Sequence, residues 1–152
     1  MTEIFHSGAW SPRHFDVYTG GTFDLFHLGH VNLLRQCREI AGTGTVTVGL
    51  NTDSFAESYK RKPICTLEER FAVVEACRYV DEVVINWGGA DSRMIVDSVR
   101  PNYVVVGDDW QQRDYNTQMG WDDAWLRDRD IQIAYVPYTK QISTTMLTLR
   151  MP

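Results

Sequence analysis

The sequence has few cysteines and no long apolar run. Its three cysteines, Cys37, Cys65 and Cys77, are an odd number without metal-site spacing, which argues against a disulfide framework and against a zinc centre. We expect Cys37 and Cys77 to be buried thiols and Cys65 to be an incidental loop residue. No segment is apolar enough to span a membrane, and residues 1–14 lack the pattern of a signal peptide. We therefore expect a cytoplasmic protein with no membrane contact.

Positive charge is also scarce. The 152 residues include 15 lysines and arginines against 20 aspartates and glutamates, so the net charge is −5 at pH 7. An acidic chain of this kind is not expected to bind nucleic acid nonspecifically. A small polyanionic substrate would need a local basic cluster, and Lys60-Arg61-Lys62 supplies one. The alternative for these three residues is a solvated loop, as for most short charge runs.

The sequence contains no internal repeat, low-complexity segment or interdomain linker, and its length suits one domain. We predict an N-terminal arm over residues 1–14 and a single domain over residues 15–152. Strand-like runs lie at residues 15–19, 45–50, 82–85, 103–106 and 131–136. Helix-like runs lie at 31–41, 91–99 and 143–149, and a further helix begins at the Thr66–Glu69 capping box. This alternation predicts an α/β fold, a Rossmann-like doubly wound parallel sheet of about five strands with helices on both faces.

In such a sheet, ligands bind beyond the carboxyl ends of the strands. The loops predicted at this edge are residues 20–30, 51–62, 107–110 and 137–145. The first of them is the most informative, because it joins a strand to a helix through Gly20-Gly21 and carries two histidines at the predicted start of the helix. Free backbone N–H groups and the helix dipole make such a terminus a site for phosphate. His27 and His30 are three residues apart and therefore share a face, and a metal site would need further ligands.

Residues 20–30 resemble the HxGH signature of the nucleotidyltransferase superfamily, and the Gly-Thr-Phe-Asp lead-in is similar to its cytidylyltransferase branch. Three more segments resemble the glycerol-3-phosphate cytidylyltransferase family. They are Glu69-Arg70 through Val83, the Gly-Asp-Asp-Trp at 107–110, and the Ile-Ser-Thr-Thr at 142–145. The resemblance extends from Phe15 to about Leu149.

This resemblance implies transfer of CMP from CTP to glycerol 3-phosphate by direct in-line attack, which gives CDP-glycerol and pyrophosphate. It further implies Mg²⁺ accompanying CTP, small molecules as the only substrates, and a homodimer. A phosphate monoester is already largely ionised near neutral pH, so no general base is required, and no Ser–His–Asp pattern is present. Catalysis then depends on positioning and on stabilising the charge of the departing pyrophosphate.

The resemblance also assigns the site residues. The catalytic set is His27, His30, Lys62, Arg70, Ser143 and Thr144. The nucleotide-binding set adds Gly21, Thr22, Phe23, Asp24, Lys60, Asp108, Thr139 and Ile142 to His27, His30, Ser143 and Thr144. The acceptor-binding set is Asp24, Arg70 and Arg78.

Several roles stay open at this stage. Asp24 is expected to orient a histidine or the substrate. Asp108 either holds Mg²⁺, accepts from the cytosine amino group or forms a turn. Arg78 either binds phosphate or pairs with Glu75 or Glu82. Ser143 and Thr144 can cap a helix and can bind phosphate, and these two roles are compatible. The tryptophans Trp87, Trp121 and Trp125 are expected to be packing or surface residues.

The sequence departs from the family pattern in one segment. Tyr138-Thr139-Lys140-Gln141 stands where the family has Arg-Thr-Glu-Gly. This change leaves open ATP in place of CTP, an acceptor such as ethanolamine phosphate or a sugar phosphate, and a nucleotide-binding sensor without turnover. The acidic stretch 114–130 and the N-terminal arm look like additions. We have no functional account of either and expect a variable surface loop in each case.

Overall fold

The computed structural model describes residues 13–152. Of the preceding residues it describes only the backbone of two short strands, β1 (Phe5–His6) and β2 (Ala9–Trp10), which pair antiparallel. The rest of the predicted N-terminal arm lies outside the described residues, so the boundary between arm and domain stays a prediction.

Five parallel strands form the central sheet. They are β3 (Val17–Gly21), β4 (Val46–Asn51), β5 (Glu82–Asn86), β6 (Tyr103–Gly107) and β7 (Gln132–Val136). Their order is β5-β4-β3-β6-β7, and every neighbouring pair is parallel. The chain therefore reverses its direction of winding between β3 and β6, which is where sheets of this type bind ligands. The predicted fold class is confirmed.

Helices cover both faces of this sheet. They are α1 (Leu28–Ala41), α2 (Asp53–Tyr59), α3 (Leu67–Glu75), α4 (Arg93–Val99), a 3-10 helix (Asp108–Gln112), α5 (Tyr115–Met119), α6 (Asp123–Asp128) and α7 (Thr144–Leu149). Among the described residues, no helix is long and apolar enough to cross a bilayer.

Alternate residues of each strand face opposite layers of the core. On one face, α1 and α3 pack against the sheet, and buried Cys37 and Val74 belong to these helices. On the other face, which we call the α5 face, Tyr18 packs with Val96 of α4 and Tyr115 of α5. The prediction of a buried thiol is confirmed for Cys37, whereas Cys77 follows the end of α3 and is only half-buried.

The acidic stretch 114–130 is not the surface loop that we expected. It forms α5 and α6, whose first turns are capped by the side chains of Asp114 and Asp122. Trp121, only 6% exposed, packs in the α5-face core and stacks on Trp125 with ring centroids 5.4 Å apart. These two tryptophans are packing residues, as predicted, and Trp87 is a surface residue at 76% exposure.

Candidate active site

A cleft of about 760 Å³ opens at the carboxyl edge of the sheet, beside the β3–β6 junction. It is lined by the segment after β3, the end of α2, the 3-10 helix and the residues before α7. Of the residues predicted from the sequence, the cleft brings together Gly21, Thr22, Phe23, Asp24, His27, His30, Lys60, Thr139, Ser143 and Thr144. Lys62, Arg70, Arg78, Asp108 and Ile142 do not line it.

The two histidines form the N-terminal cap of α1. The Nδ1 atom of His27 accepts from the backbone N–H of Gly29 at 3.0 Å, and the Nδ1 atom of His30 accepts from the backbone N–H of His27 at 3.1 Å. Their rings stack with centroids 3.8 Å apart. Because both Nδ1 atoms are acceptors, a neutral ring in this arrangement carries its proton on Nε2. The cap therefore fixes two neutral N–H donors at the start of the helix.

Electrostatics favour the same protonation state. The pKa of His30 is lowered from 6.5 to about 3, chiefly because burial disfavours the charged ring and to a smaller extent because His27 and Lys60 lie nearby. The carboxylate of Asp24 opposes this shift. Burial also lowers the pKa of His27. Both rings are therefore neutral at pH 7, and each neutral ring already carries the Nε2–H that can donate to a phosphate oxygen.

The low pKa of His30 makes the stability of the fold dependent on pH. Between pH 6.5 and about pH 3 the unfolded chain binds a proton at His30 that the folded chain does not bind. The resulting contribution of His30 to the free energy of unfolding is therefore complete above pH 6.5 and is lost as the pH falls. We expect wild type to lose about 2 kcal/mol of unfolding free energy between pH 7 and pH 5 relative to His30→Asn. Urea titrations of both proteins at the two pH values measure this difference. An equal loss in the two proteins contradicts it.

The segment between β3 and α1 has an unusual backbone. Phe23 and Leu25, which are not glycines, have φ values of 55° and 48°, in the left-handed region that non-glycine residues rarely adopt. Buried Asp24 lies between them, and its carboxylate accepts from the backbone N–H groups of Leu25, Ile64 and Cys65 at 2.8–3.1 Å. These three bonds join the strained segment to the loop before α3. They give Asp24 a structural role, and its predicted contact with substrate stays a prediction.

Arg70 lies beneath the cleft and is 1% exposed. Its guanidinium donates to the carbonyl oxygens of Thr22, Asn51 and Cys65 at 2.8–3.2 Å and to the Asp53 carboxylate at 2.6 Å. These contacts tie the ends of β3 and β4 to the loop before α3. They give Arg70 a positioning role, and its predicted contact with the acceptor stays a prediction.

The basic cluster is divided between cleft and surface. Lys60 and Arg61 line the cleft, whereas Lys62 is exposed and lies outside it. Arg78 is exposed and follows the end of α3. Within residues 13–152 it forms no ion pair with Glu75 or Glu82. The predicted roles of Lys62 and Arg78 stay predictions.

The segment before α7 docks directly on the strained loop. Thr144 donates to the Asp24 carbonyl oxygen at 2.8 Å, and the side chain of Asn32 on α1 donates to Thr139 at 2.9 Å. Ser143 caps α7 through the Met146 N–H, and Ile142 lies close to Gly29. Two helix N-termini, those of α1 and α7, therefore meet at one cleft, which suits a ligand with several phosphates.

Comparison with known proteins identifies the family. The family model described as "Cytidylyltransferase-like" matches residues 18–150. This chain belongs to the cytidylyltransferase-like family. It is 33% identical over 133 residues to the glycerol-3-phosphate cytidylyltransferase of Bacillus subtilis (strain 168), covering 86% of this chain and 92% of the relative. The match supports a cytidylyltransferase-type activity.

Other relatives are named for different activities. An ethanolamine-phosphate cytidylyltransferase of Dictyostelium discoideum is 41% identical over 103 residues, 65% of this chain, but the match spans only 28% of that relative. An FAD synthase of Thermococcus sibiricus is 37% identical over 93 residues, 61% of this chain and 62% of the relative. A lipopolysaccharide core biosynthesis protein from Thermoplasma volcanium GSS1 shares the fold, with a TM-score of 0.66 and 23% identity over 86% of this chain and 100% of that one.

The donor set of this cytidylyltransferase-like chain does not form a metal cage. Among the described residues, no group of three or more His, Cys, Asp or Glu side chains is arranged to hold a cation. The Asp24 carboxylate is occupied by three N–H groups, and Asp108 is exposed and accepts from the Tyr138 N–H at 3.1 Å. The expectation that Mg²⁺ accompanies CTP and is held mainly by phosphate oxygens and water stays a prediction.

The sequence analysis missed a polar network at the ends of β4 and β5. Asn51 donates to the hydroxyls of Tyr59 and Thr22, at 3.1 and 3.4 Å, and Asn86 donates to Asn51 at 3.3 Å. Both asparagines are buried. A polar residue at the last position of two neighbouring strands was the available signal, because parallel strand ends meet at the ligand edge of the sheet.

Proposed function

We propose that this protein transfers CMP from CTP to a small phosphorylated alcohol, with glycerol 3-phosphate as the first candidate. An oxygen of the acceptor phosphate attacks the α-phosphorus of CTP. The bond between that phosphorus and the bridging oxygen breaks, and pyrophosphate leaves with the electron pair. The observation that carries the proposal is the pair of neutral histidines whose Nε2–H donors are fixed at the start of α1.

The reaction needs no general base. The acceptor phosphate has a second pKa near ~6 and is largely dianionic at neutral pH, so its attacking oxygen is already unprotonated. What remains is stabilisation of charge on the transferring group and on the leaving pyrophosphate. The neutral histidines can donate to these oxygens throughout the step. The N–H groups at the starts of α1 and α7 and the cations Lys60 and Arg61 would bind the remaining phosphate oxygens.

The choice of acceptor rests on the relatives. The glycerol-3-phosphate enzyme matches along nearly its whole length, whereas the ethanolamine-phosphate enzyme matches over about a quarter. The FAD synthase relative favours a second candidate, adenylyl transfer from ATP to a larger phosphate ester. A screen for pyrophosphate release tests these alternatives, with CTP and ATP each combined with glycerol 3-phosphate, ethanolamine phosphate and FMN. Release with CTP and glycerol 3-phosphate is expected, and release only with ATP, or with no pair, refutes the proposal.

The two cleft cations should capture the triphosphate. Replacing Lys60 and Arg61 together by alanine should raise the KM for CTP by roughly tenfold and weaken its dependence on ionic strength, because their field is screened over about 8 Å at physiological salt. Steady-state kinetics at 20 and 200 mM KCl measure both effects. Lys62→Ala is the matched control, since Lys62 lies outside the cleft. A larger effect from Lys62→Ala would instead support the role predicted for it from the sequence.

A further inference from the structure

Two glycines create space on the α5 face of the sheet, next to residues 22–27 between β3 and α1, which we call the phosphate loop. Gly20 of β3 and Gly49 of β4 are register partners, so two residues without side chains lie side by side. The Tyr18 ring occupies part of this space, and a Cβ on Gly49 would lie 2.0 Å from its hydroxyl. Tyr18 and Gly20 both line the cleft. The cleft therefore continues from the phosphate loop onto the α5 face.

Five residues bound this inner end of the cleft: Tyr18, Asn86, Ser92, Tyr115 and Met119. We call them the buried floor. Each is at most 8% exposed. Ser92 and Met119 are joined by a backbone hydrogen bond and a weak 3.8 Å contact from the Ser92 hydroxyl to the Met119 sulfur. Tyr115 and Met119 belong to α5, so the acidic stretch that had no functional account supplies part of the cleft wall.

Two polar atoms of the buried floor have no partner among the described residues. They are the Oδ1 atom of Asn86 and the hydroxyl of Tyr115, whose residues are 2% and 5% exposed. The Nδ2 atom of Asn86 already donates to Asn51 and Gly89, so its Oδ1 atom needs a donor from outside the network. Unpaired polar atoms at such burial are costly and rare in folded proteins. Both residues line the cleft, but neither atom is exposed at its surface in this structure, so a ligand pairs them only after a side chain of the buried floor moves.

The chemistry of the buried floor indicates a neutral, hydroxylated ligand. None of its five side chains is ionised, since burial raises the pKa values of the Tyr18 and Tyr115 phenols and keeps them protonated. An ammonium group would find no carboxylate among them, and a carboxylate would find no cation. A hydroxyl group can donate to Asn86 and pair with Tyr115. Asn51 hydrogen-bonds both to Thr22 and to Asn86, so a single side chain separates the phosphate loop from this floor.

We propose that the buried floor is the subsite for the tail of the acceptor and selects a short, uncharged polyol phosphate. This proposal rests on the proposed function, because it takes the acceptor to be a phosphate ester bound in the same cleft. The phosphate lies at the loop carrying Thr22, and the hydroxylated tail extends over the glycine pair toward Asn86 and Tyr115. A cationic tail such as that of ethanolamine phosphate is disfavoured.

Binding measurements on the full chain test this subsite. The probes are glycerol 3-phosphate, n-propyl phosphate, which lacks the hydroxyls, and ethanolamine phosphate, each titrated by calorimetry. Wild type should bind glycerol 3-phosphate at least tenfold more tightly than the other two. Tyr115→Phe should weaken glycerol 3-phosphate roughly tenfold, leave n-propyl phosphate unchanged and not lower the melting temperature, because it removes an unpaired buried hydroxyl. The control is Tyr103→Phe, the same change at the opposite end of the sheet, where the Tyr103 ring packs against Phe15. It should alter neither the affinities for the three phosphates nor the melting temperature.

The outcomes separate the two proposals. Equal or undetectable binding of the three phosphates, a preference for ethanolamine phosphate, or a Tyr115→Phe protein with wild-type selectivity overturns the subsite. Pyrophosphate release measured in parallel tests the reaction itself. Selective binding of glycerol 3-phosphate without any turnover refutes the proposed function and leaves the subsite standing. Turnover whose acceptor KM is unaffected by Tyr115→Phe refutes the subsite alone.

Discussion

Replacing His30 by alanine should lower kcat by about 10²–10³ and leave the KM for CTP nearly unchanged. The Nε2–H of His30 is placed to donate to an oxygen that gains charge as pyrophosphate leaves, and loss of one such donor typically has an effect of this size. Because the interaction strengthens in the transition state, the loss falls on kcat. Steady-state kinetics with CTP and glycerol 3-phosphate measure both constants. Rates near wild type would remove His30 from the mechanism.

Two conservative variants of His30 separate its role in capping α1 from its proposed role as a hydrogen-bond donor to phosphate. The Oδ1 atom of asparagine can take the place of Nδ1 and accept from the His27 N–H, but asparagine places no donor at the Nε2 position. His30→Asn should therefore fold normally and be as slow as His30→Ala. Glutamine can place an N–H near the Nε2 position and should retain part of the rate. His14→Ala is the control, since His14 is exposed and contacts Thr43 away from the cleft.

Replacing Arg70 by methionine should lower the unfolding free energy by about 3–5 kcal/mol, because backbone acceptors beneath the cleft lose their donor at about 1–3 kcal/mol each. The Asp53 carboxylate is 40% exposed, so loss of its ion pair adds little. Three carbonyl oxygens lose their donor and the Asp53 carboxylate loses its partner. Activity should fall with stability, because the Thr22 and Asn51 ends of the strands are no longer held. Urea unfolding of wild type and variant at pH 7.5 measures the difference.

An exposed arginine provides the matched control for this change. Arg93 pairs with Asp91 at 2.9 Å, but both side chains are about half exposed, so Arg93→Met should leave the unfolding free energy close to that of wild type. Arg70→Lys keeps the charge but cannot reproduce the planar set of donors, and should recover only part of the loss. If Arg70→Met is as stable as wild type and only its acceptor KM rises, Arg70 contacts the acceptor as the sequence predicted.

The sheet could be predicted because each strand carries its signal locally. Tyr103 to Val106 is a continuous apolar run and Val46 to Leu50 is β-rich, and both are fully or largely buried strands in the structure. The start of α1 was also predictable, since a glycine turn followed by paired histidines is a local pattern. The boundaries differ by a few residues, as for α1, which begins at Leu28 and not at Val31.

What the sequence could not predict depends on contacts between distant residues. A motif names residue types and gives no direction for their side chains, so the internal contacts of Asp24 and Arg70 could not be predicted. Asp24 bonds to residues about 40 positions away, and Arg70 bonds to Thr22 across 48 positions. The short helices α2, α5 and α6, five to seven residues each, are too brief to display a 3.6-residue period.

The bond from Thr144 to the Asp24 carbonyl oxygen joins residues 120 positions apart, and the bond from Asn32 to Thr139 joins residues 107 apart. Such contacts require very long loops to close, so we expect them to form late in folding. The segment between β3 and α1 is therefore synthesised early, but its contacts are completed late, when residues 138–149 dock on it. A bound nucleotide would stabilise that final docking by mass action. On the proposed function, the ability to bind nucleotide would thus mark the end of folding in this chain.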